Sequence, residues 1–278
     1  MPIFKHFSGK TRIYLDYASS TPRDMGMARR VPKIPIRIHA ANPSALHSEG
    51  VALRRVLNDA RERVARVLEV HRDEIIFTSG ATESDNLAIV GAIYGLLKKG
   101  IAHNDIVVIS SDLEHAAVTE TIKHVVTSGV RHVSLSTTDG VVDPKDIVVP
   151  NGAKAVVVSV MYVNNEIGTV QPISDIAKRM RKLRADHPNV QFIFHTDATQ
   201  APLHFSLRVP ALGVDLMTLG ATKLYCTKGV GALYKKRAVE LMPVLHGGGQ
   251  EFGMRPGTES VELMHEFSHA LLYAQERR

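Results

Sequence analysis

Polar residues that could bind and activate a small molecule stand at the ends of several apolar runs. Gly80, Ala81 and Thr82 lie between the apolar run 74–78 and a helical pattern. Small residues at the start of a helix let backbone N–H groups approach a phosphate, and the helix N-terminus favours negative charge. A capped turn with no ligand has the same composition. The pattern therefore leaves a phosphate site and a plain turn as alternatives.

Asp197 and Lys223 stand in comparable positions, just beyond the apolar runs 191–194 and 215–219. A carboxylate there can pair with a ring-nitrogen cation and keep it protonated, whereas an aspartate that caps the next turn is the structural alternative. A lysine partly removed from water has a lowered pKa and can form an imine. Most lysines are simply solvated, so neither residue alone indicates one chemistry.

A second pattern suggests metal chemistry. His265, Glu266 and His269 fit HExxH, in which two histidines on one helix face bind zinc and the glutamate acts as base. The pattern is short, and 14 histidines make a chance match easy. A helix that links two domains is the alternative for this stretch, and it is the one we favour.

The elements that must position these residues alternate along the chain. An amphipathic helix is predicted from Ser48, and residues 20–45, rich in proline, are predicted to be irregular. Predicted strands are 74–78, 105–110, 132–135, 154–160, 191–194, 215–219 and 231–234, and predicted helices are 83–99, 115–128 and 173–185. Such alternation predicts an α/β fold with a mostly parallel sheet, and ligands of these sheets bind beyond the carboxyl ends of the strands.

Composition limits the class of protein. The 278 residues are 44% apolar, which suffices for one large core or two modest ones. The net charge of +6 is spread over short runs without interleaved aromatic residues, so we expect no nucleic-acid partner. We also expect no membrane span and, since Met1 to Arg12 lack an apolar stretch, no signal peptide. The single cysteine, Cys226, fits a reducing compartment and predicts a cytoplasmic protein.

Seven strings of residues occur in one order from about residue 12 to 260. They are 14–18 (YLDYA), 77–86 (FTSGATESDN), 163–168 (VNNEIG), 195–200 (HTDATQ), 222–225 (TKLY), 246–249 (HGGG) and 255–258 (RPGT). Together they resemble the cysteine desulfurases, enzymes of the class V aminotransferase family that use pyridoxal 5′-phosphate (PLP). The resemblance implies the large domain of a fold-type I PLP enzyme, a three-layer sandwich around a mostly parallel seven-stranded sheet. It also implies conversion of L-cysteine to L-alanine with an enzyme-bound persulfide, for iron–sulfur cluster assembly or tRNA thiolation.

The resemblance assigns roles to five residues around the cofactor ring. Lys223 is expected to form the Schiff base with PLP and to move protons during catalysis. Asp197 is expected to pair with the pyridine nitrogen, and His115 to stack on the ring and act as an acid or base. Gln200 is expected to bond to the phenolic oxygen of the ring, with Asn165 between that oxygen and the substrate carboxylate.

The cofactor phosphate is expected to lie on Ala81 and Thr82. Thr258 resembles a phosphate contact that crosses from a second subunit, which implies a homodimer. Where the family has Ser-Gly-His before the lysine, this chain has 220–222 (GAT), so that Thr222 alone offers a hydroxyl. Each lost hydrogen bond to a charged phosphate is worth roughly 1.5–3 kcal/mol, so we expect weakened cofactor affinity.

The resemblance also predicts how the chain is divided. We expect a small-domain segment at 1–15, the PLP-binding large domain at 16–262 and a linker helix at 263–278 that leads to a C-terminal domain. In the family that domain carries the nucleophilic cysteine and the arginine that binds the substrate carboxylate, so Cys226 is not expected to be the nucleophile. A PLP-binding subunit that lacks activity of its own, or complements another chain, stays an alternative, as does the zinc hydrolase. A sulfur-acceptor protein is a further expected partner.

Overall fold

A sheet of seven strands forms the middle of the fold. The computed structural model describes residues 3–5 and 11–278, in which a short antiparallel pair, β1 (Ile3–Lys5) and β2 (Thr11–Ile13), precedes the sheet. The strands of the sheet are β3 (Ile75–Thr78), β4 (Ile106–Ser111), β5 (Arg131–Leu135), β6 (Ala155–Ser159), β7 (Gln191–Asp197), β8 (Leu216–Gly220) and β9 (Gly231–Lys235). Their spatial order is β3-β9-β8-β7-β6-β4-β5. All seven predicted strands are therefore confirmed, with ends that differ by at most three residues.

The sheet is mostly parallel, and the helices that connect its parallel strands cover the central strands on both faces. The central strands β4 and β6 are buried along their whole length, as their runs of valine and isoleucine predict. Only β9 runs against its neighbours, pairing antiparallel with both β3 and β8. The carboxyl ends of β4, β6, β7 and β8 consequently meet at one edge, where the polar residues follow.

Helices complete the other two layers. They are α1 (Met25–Arg30), α2 (Ile36–His39), α3 (Ser48–Leu68), α4 (Ala81–Lys98), α5 (Ala116–Val126), α6 (Ile173–Asp186), α7 (Val209–Leu212) and α8 (Val261–Arg277). Apolar residues of α4 and α5 pack on one face of the sheet, and those of α3, α6 and α8 pack on the other. The predicted three-layer α/β sandwich is confirmed.

The prediction of an irregular segment over residues 20–45 is wrong in part. This segment contains α1 and α2, two short helices that fit between its prolines. Asp24 caps α1, since its carboxylate accepts hydrogen bonds from the backbone N–H groups of Gly26 and Met27. Pro35 immediately precedes α2, where its missing N–H costs nothing. Asp24 therefore sets the start of α1, and Pro35 sets the start of α2.

The helix predicted as a linker, α8, packs against the sheet and α3. The Phe267 ring meets Phe77 of β3 edge to face, with ring centroids 6.5 Å apart, and Arg63 of α3 donates to the Ser268 hydroxyl at 2.8 Å. The division into 1–15, 16–262 and 263–278 stays a prediction, and residues 1, 2 and 6–10 lie outside the described part of the chain. Among the residues described, no helix is long and apolar enough to cross a bilayer.

Candidate functional site

A cavity of about 480 Å³ opens beyond the carboxyl ends of the parallel strands. Its lining includes Asp85 and residues of the N-terminal segment. It also brings together all predicted site residues but one: Ala81, Thr82, His115, Asn165, Asp197, Gln200, Thr222 and Lys223. The exception is Thr258, which is exposed on the loop before α8 and does not line the cavity. The predicted residues, up to 142 positions apart in the sequence, thus share one site, as the sheet topology predicts.

The start of α4 forms one end of the cavity. Its first residues, Ala81 and Thr82, line the cavity with backbone N–H groups that have no partner within the helix. The turn before them lies very close to β9, because a Cβ atom built on Gly231 would be 2.7 Å from the backbone carbon of Gly80. Glycine at position 231 is therefore required for this turn to lie where it does.

Asp197 ends β7 and presents a buried carboxylate to the cavity. One of its oxygens accepts a hydrogen bond from the Thr199 backbone N–H at 2.9 Å. Burial raises the pKa of Asp197, while the Thr199 hydrogen bonds and the charge of Lys223 act against that rise. A cation that enters the cavity would strongly stabilise the ionised Asp197 carboxylate, because the attraction between opposite charges is stronger away from water.

Lys223 lies in the turn that follows β8, with its amine at the cavity wall. Nζ donates hydrogen bonds to the backbone carbonyls of Ala18, at 2.7 Å, and Ser19. Burial lowers the pKa of Lys223, while the charges of Asp16 and Asp197 partly offset this effect. A lowered pKa leaves more of the neutral amine, which is the nucleophilic form.

Two side chains complete the polar wall. His115 precedes α5, and its Nδ1 accepts a hydrogen bond from the Ala117 backbone N–H at 3.1 Å, which fixes the ring at the helix start. Gln200 donates from Nε2 to the Ala18 carbonyl at 2.9 Å. The carbonyl of Ala18 therefore holds both Gln200 and Lys223, so the N-terminal segment forms part of the site.

The N-terminal segment is itself fastened to the lysine turn. The Thr21 backbone N–H donates to the Thr222 carbonyl at 2.9 Å, and the Thr21 hydroxyl accepts from the Tyr225 backbone N–H at 2.8 Å. Sequence reasoning assigned no role to this segment, although its motif 14–18 was part of the resemblance. The signal that could have identified it is the string 14–18 itself, which lies outside any predicted helix or strand and far from the other motifs along the chain.

The HExxH residues are engaged in structural contacts. The Glu266 carboxylate forms a two-point ion pair with Arg23, at 2.7 and 3.0 Å, and accepts from the Thr227 backbone N–H at 3.1 Å. His265 Nε2 lies 2.9 Å from the Pro32 carbonyl oxygen. Because Arg23 and the Thr227 backbone N–H already bind the Glu266 carboxylate, Glu266 is not placed to act as the base of a zinc hydrolase. It joins α8 to the N-terminal segment and to the turn after Lys223.

Cys226 is buried in the same turn. Burial and the nearby charge of Glu266 raise the pKa of its thiol to about 12. The thiolate is the nucleophilic form of cysteine, and very little of it is present at neutral pH when the pKa is so high. The expectation that Cys226 is not a nucleophile agrees with this burial.

Two buried acids near the cavity received no role from the sequence. Asp85 of α4 is completely buried at the cavity, and Glu114 is buried just before His115. Burial raises the pKa of Glu114 to about 8, although its carboxylate accepts hydrogen bonds from the Ser111 hydroxyl and the Met161 backbone N–H. The sequence contains a signal for Asp85. This acid falls on the apolar face of a predicted helix, beside Ala88 and Ile89.

Comparison with known proteins agrees with the motifs. A family model described as aminotransferase class-V matches residues 13–269. The chain is 38% identical over 253 residues to a cysteine desulfurase IscS of Dictyoglomus turgidum, a match that covers 91% of this chain and 61% of the relative. It is 35% identical over 268 residues to a mitosomal cysteine desulfurase of Trachipleistophora hominis, with 95% and 58% covered. The chain spans about three fifths of the length of these curated relatives.

Solved structures show the same fold. One named NifS-like protein has a TM-score of 0.85 at 31% identity, covering 95% of this chain and 70% of that one. Another, SspA in complex with cysteine, has a TM-score of 0.80 at 34% identity, covering 93% and 72%. The resemblance to cysteine desulfurases and the fold-type I sandwich are thus confirmed. Since the family model matches nearly the whole chain, this protein belongs to the aminotransferase class-V family.

Proposed function

We propose that the protein binds PLP in this cavity and acts on L-cysteine as a cysteine desulfurase-like protein. The observation that carries the proposal is the placement of Lys223, Asp197 and the start of α4 around one cavity of about 480 Å³. These groups supply an amine for covalent attachment, a carboxylate for a ring cation and backbone donors for a phosphate. The charge and donor set of the cavity therefore fits PLP.

Each residue then has a task that its position supports. Bound PLP supplies an electron sink for the carbanion formed at the substrate's α-carbon. Asp197 holds the proton on the ring nitrogen, and Lys223 carries the proton to and from the α-carbon. His115, at the cavity wall, would cover the ring and take part in proton transfer. Gln200 and Asn165 orient the phenolic oxygen and the substrate carboxylate.

The phosphate is proposed to lie on Ala81, Thr82 and the Thr222 hydroxyl, and Thr258 of a second copy is proposed to complete its contacts. The exposed position of Thr258 supports this assignment, since a residue outside its own cavity is available to another chain. A homodimer and a sulfur-acceptor protein are accordingly proposed as partners. A cytoplasmic location stays a prediction.

The test is exchange of the α-proton of L-cysteine. With PLP bound, incubation in D₂O is expected to replace this proton by deuterium, which is measured by NMR or mass spectrometry, with D-cysteine as control. Exchange precedes the loss of sulfur, so it reports on Lys223 and Asp197 without requiring a sulfur acceptor. Failure to bind PLP would overturn the proposal. PLP binding without exchange would favour the alternative of a complementing subunit.

A second expectation concerns the approach of β9 to the turn before α4. In Gly231→Ala the new methyl group would contact the backbone of Gly80, so the turn must move. Such overpacking costs about 1–3 kcal/mol, and we expect PLP affinity, measured by absorbance titration, to fall by about tenfold or more. Gly91→Ala is the matched control, since its Cβ would be 2.8 Å from the Met242 carbonyl, away from the cavity. It should lower stability and leave PLP affinity unchanged; equal affinities in both variants would contradict the prediction.

A further inference from the structure

Asp85 is a buried acid that forms no ion pair with a lysine or arginine in the part of the chain that the structure describes. Its side chain has no exposed surface, it lines the cavity, and neither carboxylate oxygen completes a hydrogen bond within the described residues. The nearest nitrogen is Nε2 of His195, 3.6 Å from Oδ1. A bare carboxylate is very costly in such a place, whereas a neutral carboxyl group needs one acceptor.

That acceptor lies in a chain of polar groups between the strands. The Thr218 hydroxyl is beside Asp85, His195 Nε2 is 3.1 Å from Thr218 Oγ1, and His195 Nδ1 is 2.9 Å from Ser159 Oγ. Burial lowers the pKa of His195 to about 3, so its ring is neutral and has one N–H. If Asp85 is protonated, every bond can run in one direction, from Asp85 through Thr218 and His195 to Ser159. If Asp85 is ionised, the direction and the tautomer of His195 must reverse.

The charged and titratable groups around Asp85 decide between these two states. Asp197 and His195 face it from β7 and Glu114 from the loop before α5, while β8 contributes the uncharged Thr218. Burial raises the pKa of Asp85 well above its usual range, and the negative charge of Asp197 raises it further, while the Thr218 hydroxyl acts against the rise. Asp197 differs from Asp85, because it has a backbone N–H donor and the positive charge of Lys223 nearby.

We propose that Asp85 is a positioning residue that keeps a proton and sets the direction of the Thr218–His195–Ser159 chain. Of the three buried acids Asp85, Glu114 and Asp197, Asp197 is thereby left as the ionised one. Two adjacent buried carboxylates would repel each other, and Asp197 would then take up the proton itself. A protonated Asp197 could not hold a ring cation. This role rests on the proposed function, since it explains how the cavity keeps one carboxylate available for the cofactor ring.

The test measures unfolding of the cofactor-free protein between pH 5 and pH 8. Unfolded Asp85 loses its proton above its ordinary pKa, whereas native Asp85 keeps it, so native stability should fall as pH rises. The unfolding constant of the wild type should rise by up to about tenfold per pH unit relative to Asp85→Asn, which has no proton to lose. Glu114 titrates in both proteins and cancels in this ratio. Asp186→Asn, at the exposed end of α6, is the control and should give a curve parallel to the wild type.

The same samples test the direction of the chain. Nitrogen-15 NMR should place the proton of His195 on Nδ1 both in the wild type and in Asp85→Asn, because the asparagine NH₂ also donates to Thr218. A ratio of unfolding constants independent of pH, or a proton on Nε2 in the wild type, would overturn the proposal. PLP titration separates the two proposals: if the wild type binds no PLP, the proposed function fails while the pH ratio still decides the protonation of Asp85. If PLP binds and the ratio is flat, the role of Asp85 alone fails.

Discussion

Replacing Lys223 with alanine is expected to abolish the covalent attachment of PLP to the protein. Lys223 brings a partly buried amine into the cavity, and burial lowers the pKa of that amine, so that more of it is in the reactive neutral form. In Lys223→Ala no side-chain amine remains at this place. After incubation with PLP and reduction with borohydride, mass spectrometry should find one label per chain on Lys223 in the wild type and none in the variant.

The matched control is Lys228→Ala, since Lys228 is exposed five residues further along the same loop. This variant should be labelled on Lys223 to the same extent as the wild type. Label that persists in Lys223→Ala, or that maps to Lys228, would show that another amine forms the link. Non-covalent binding should survive in Lys223→Ala, because Asp197 and the start of α4 are unchanged.

The pH dependence of labelling provides an independent check on the same residue. Because the pKa of Lys223 is lowered, the rate of attachment should rise with pH and level off below the pH at which an ordinary lysine does so. The rate measured with exposed lysines of the denatured chain is the reference. Coincidence of the two profiles would show that the cavity does not activate this amine.

The sequence predicted the fold closely because its signals are local. The valines of β6 and the apolar spacing of α3 specify buried strands and an amphipathic helix without knowledge of partners. The short helices α1 and α2 were missed, since tertiary packing and the Asp24 cap stabilise them more than any periodic pattern. Local pattern therefore identifies the long elements, whereas contacts decide the short ones.

The site was predictable to the extent that each residue follows a strand. Asp197 and Lys223 meet because their strands, β7 and β8, are adjacent and parallel, which the strand–helix alternation already implies. The proton on Asp85 was not predictable, because it depends on burial and on neighbours from β7, β8 and the loop before α5. The same holds for the carbonyl of Ala18, whose contact with Lys223 spans 205 positions. Electrostatics and long-range backbone contacts require the folded structure.

Replacing Arg61 with alanine is expected to cause a large loss of stability, because it removes one partner of a buried ion pair. Arg61 of α3 forms a two-point ion pair with Glu251, at 2.5 and 2.7 Å, and donates to the Ile75 carbonyl at 2.6 Å. The exposed fractions of the two side chains are 6% and 0%. Removing one partner of such a buried pair leaves an uncompensated charge, which typically costs about 3–5 kcal/mol. Urea unfolding should show this loss.

The loss should extend to the loop that presents Thr258. Glu251 and Phe252 have φ angles of 46° and 59°, a left-handed conformation that is unfavourable for residues with a side chain. The Glu251 carboxylate holds them there, since it binds Arg61 and accepts from the Phe77 backbone N–H at 2.8 Å. In Arg61→Ala we therefore expect faster hydrogen exchange over residues 246–258, with a smaller change in the strands of the sheet.

A surface pair provides the control that separates burial from charge. Arg237 and Asp73 are also joined at two points, at 2.6 and 2.7 Å, but their side chains are 55% and 47% exposed. Such a pair contributes at most about 1 kcal/mol, so Arg237→Ala should be nearly neutral. Equal losses in Arg61→Ala and Arg237→Ala would contradict the prediction. If Arg61→Ala does not fold, Arg61→Lys takes its place, since lysine retains the charge but loses the two-point geometry. Arg61→Lys should still be less stable than Arg237→Lys.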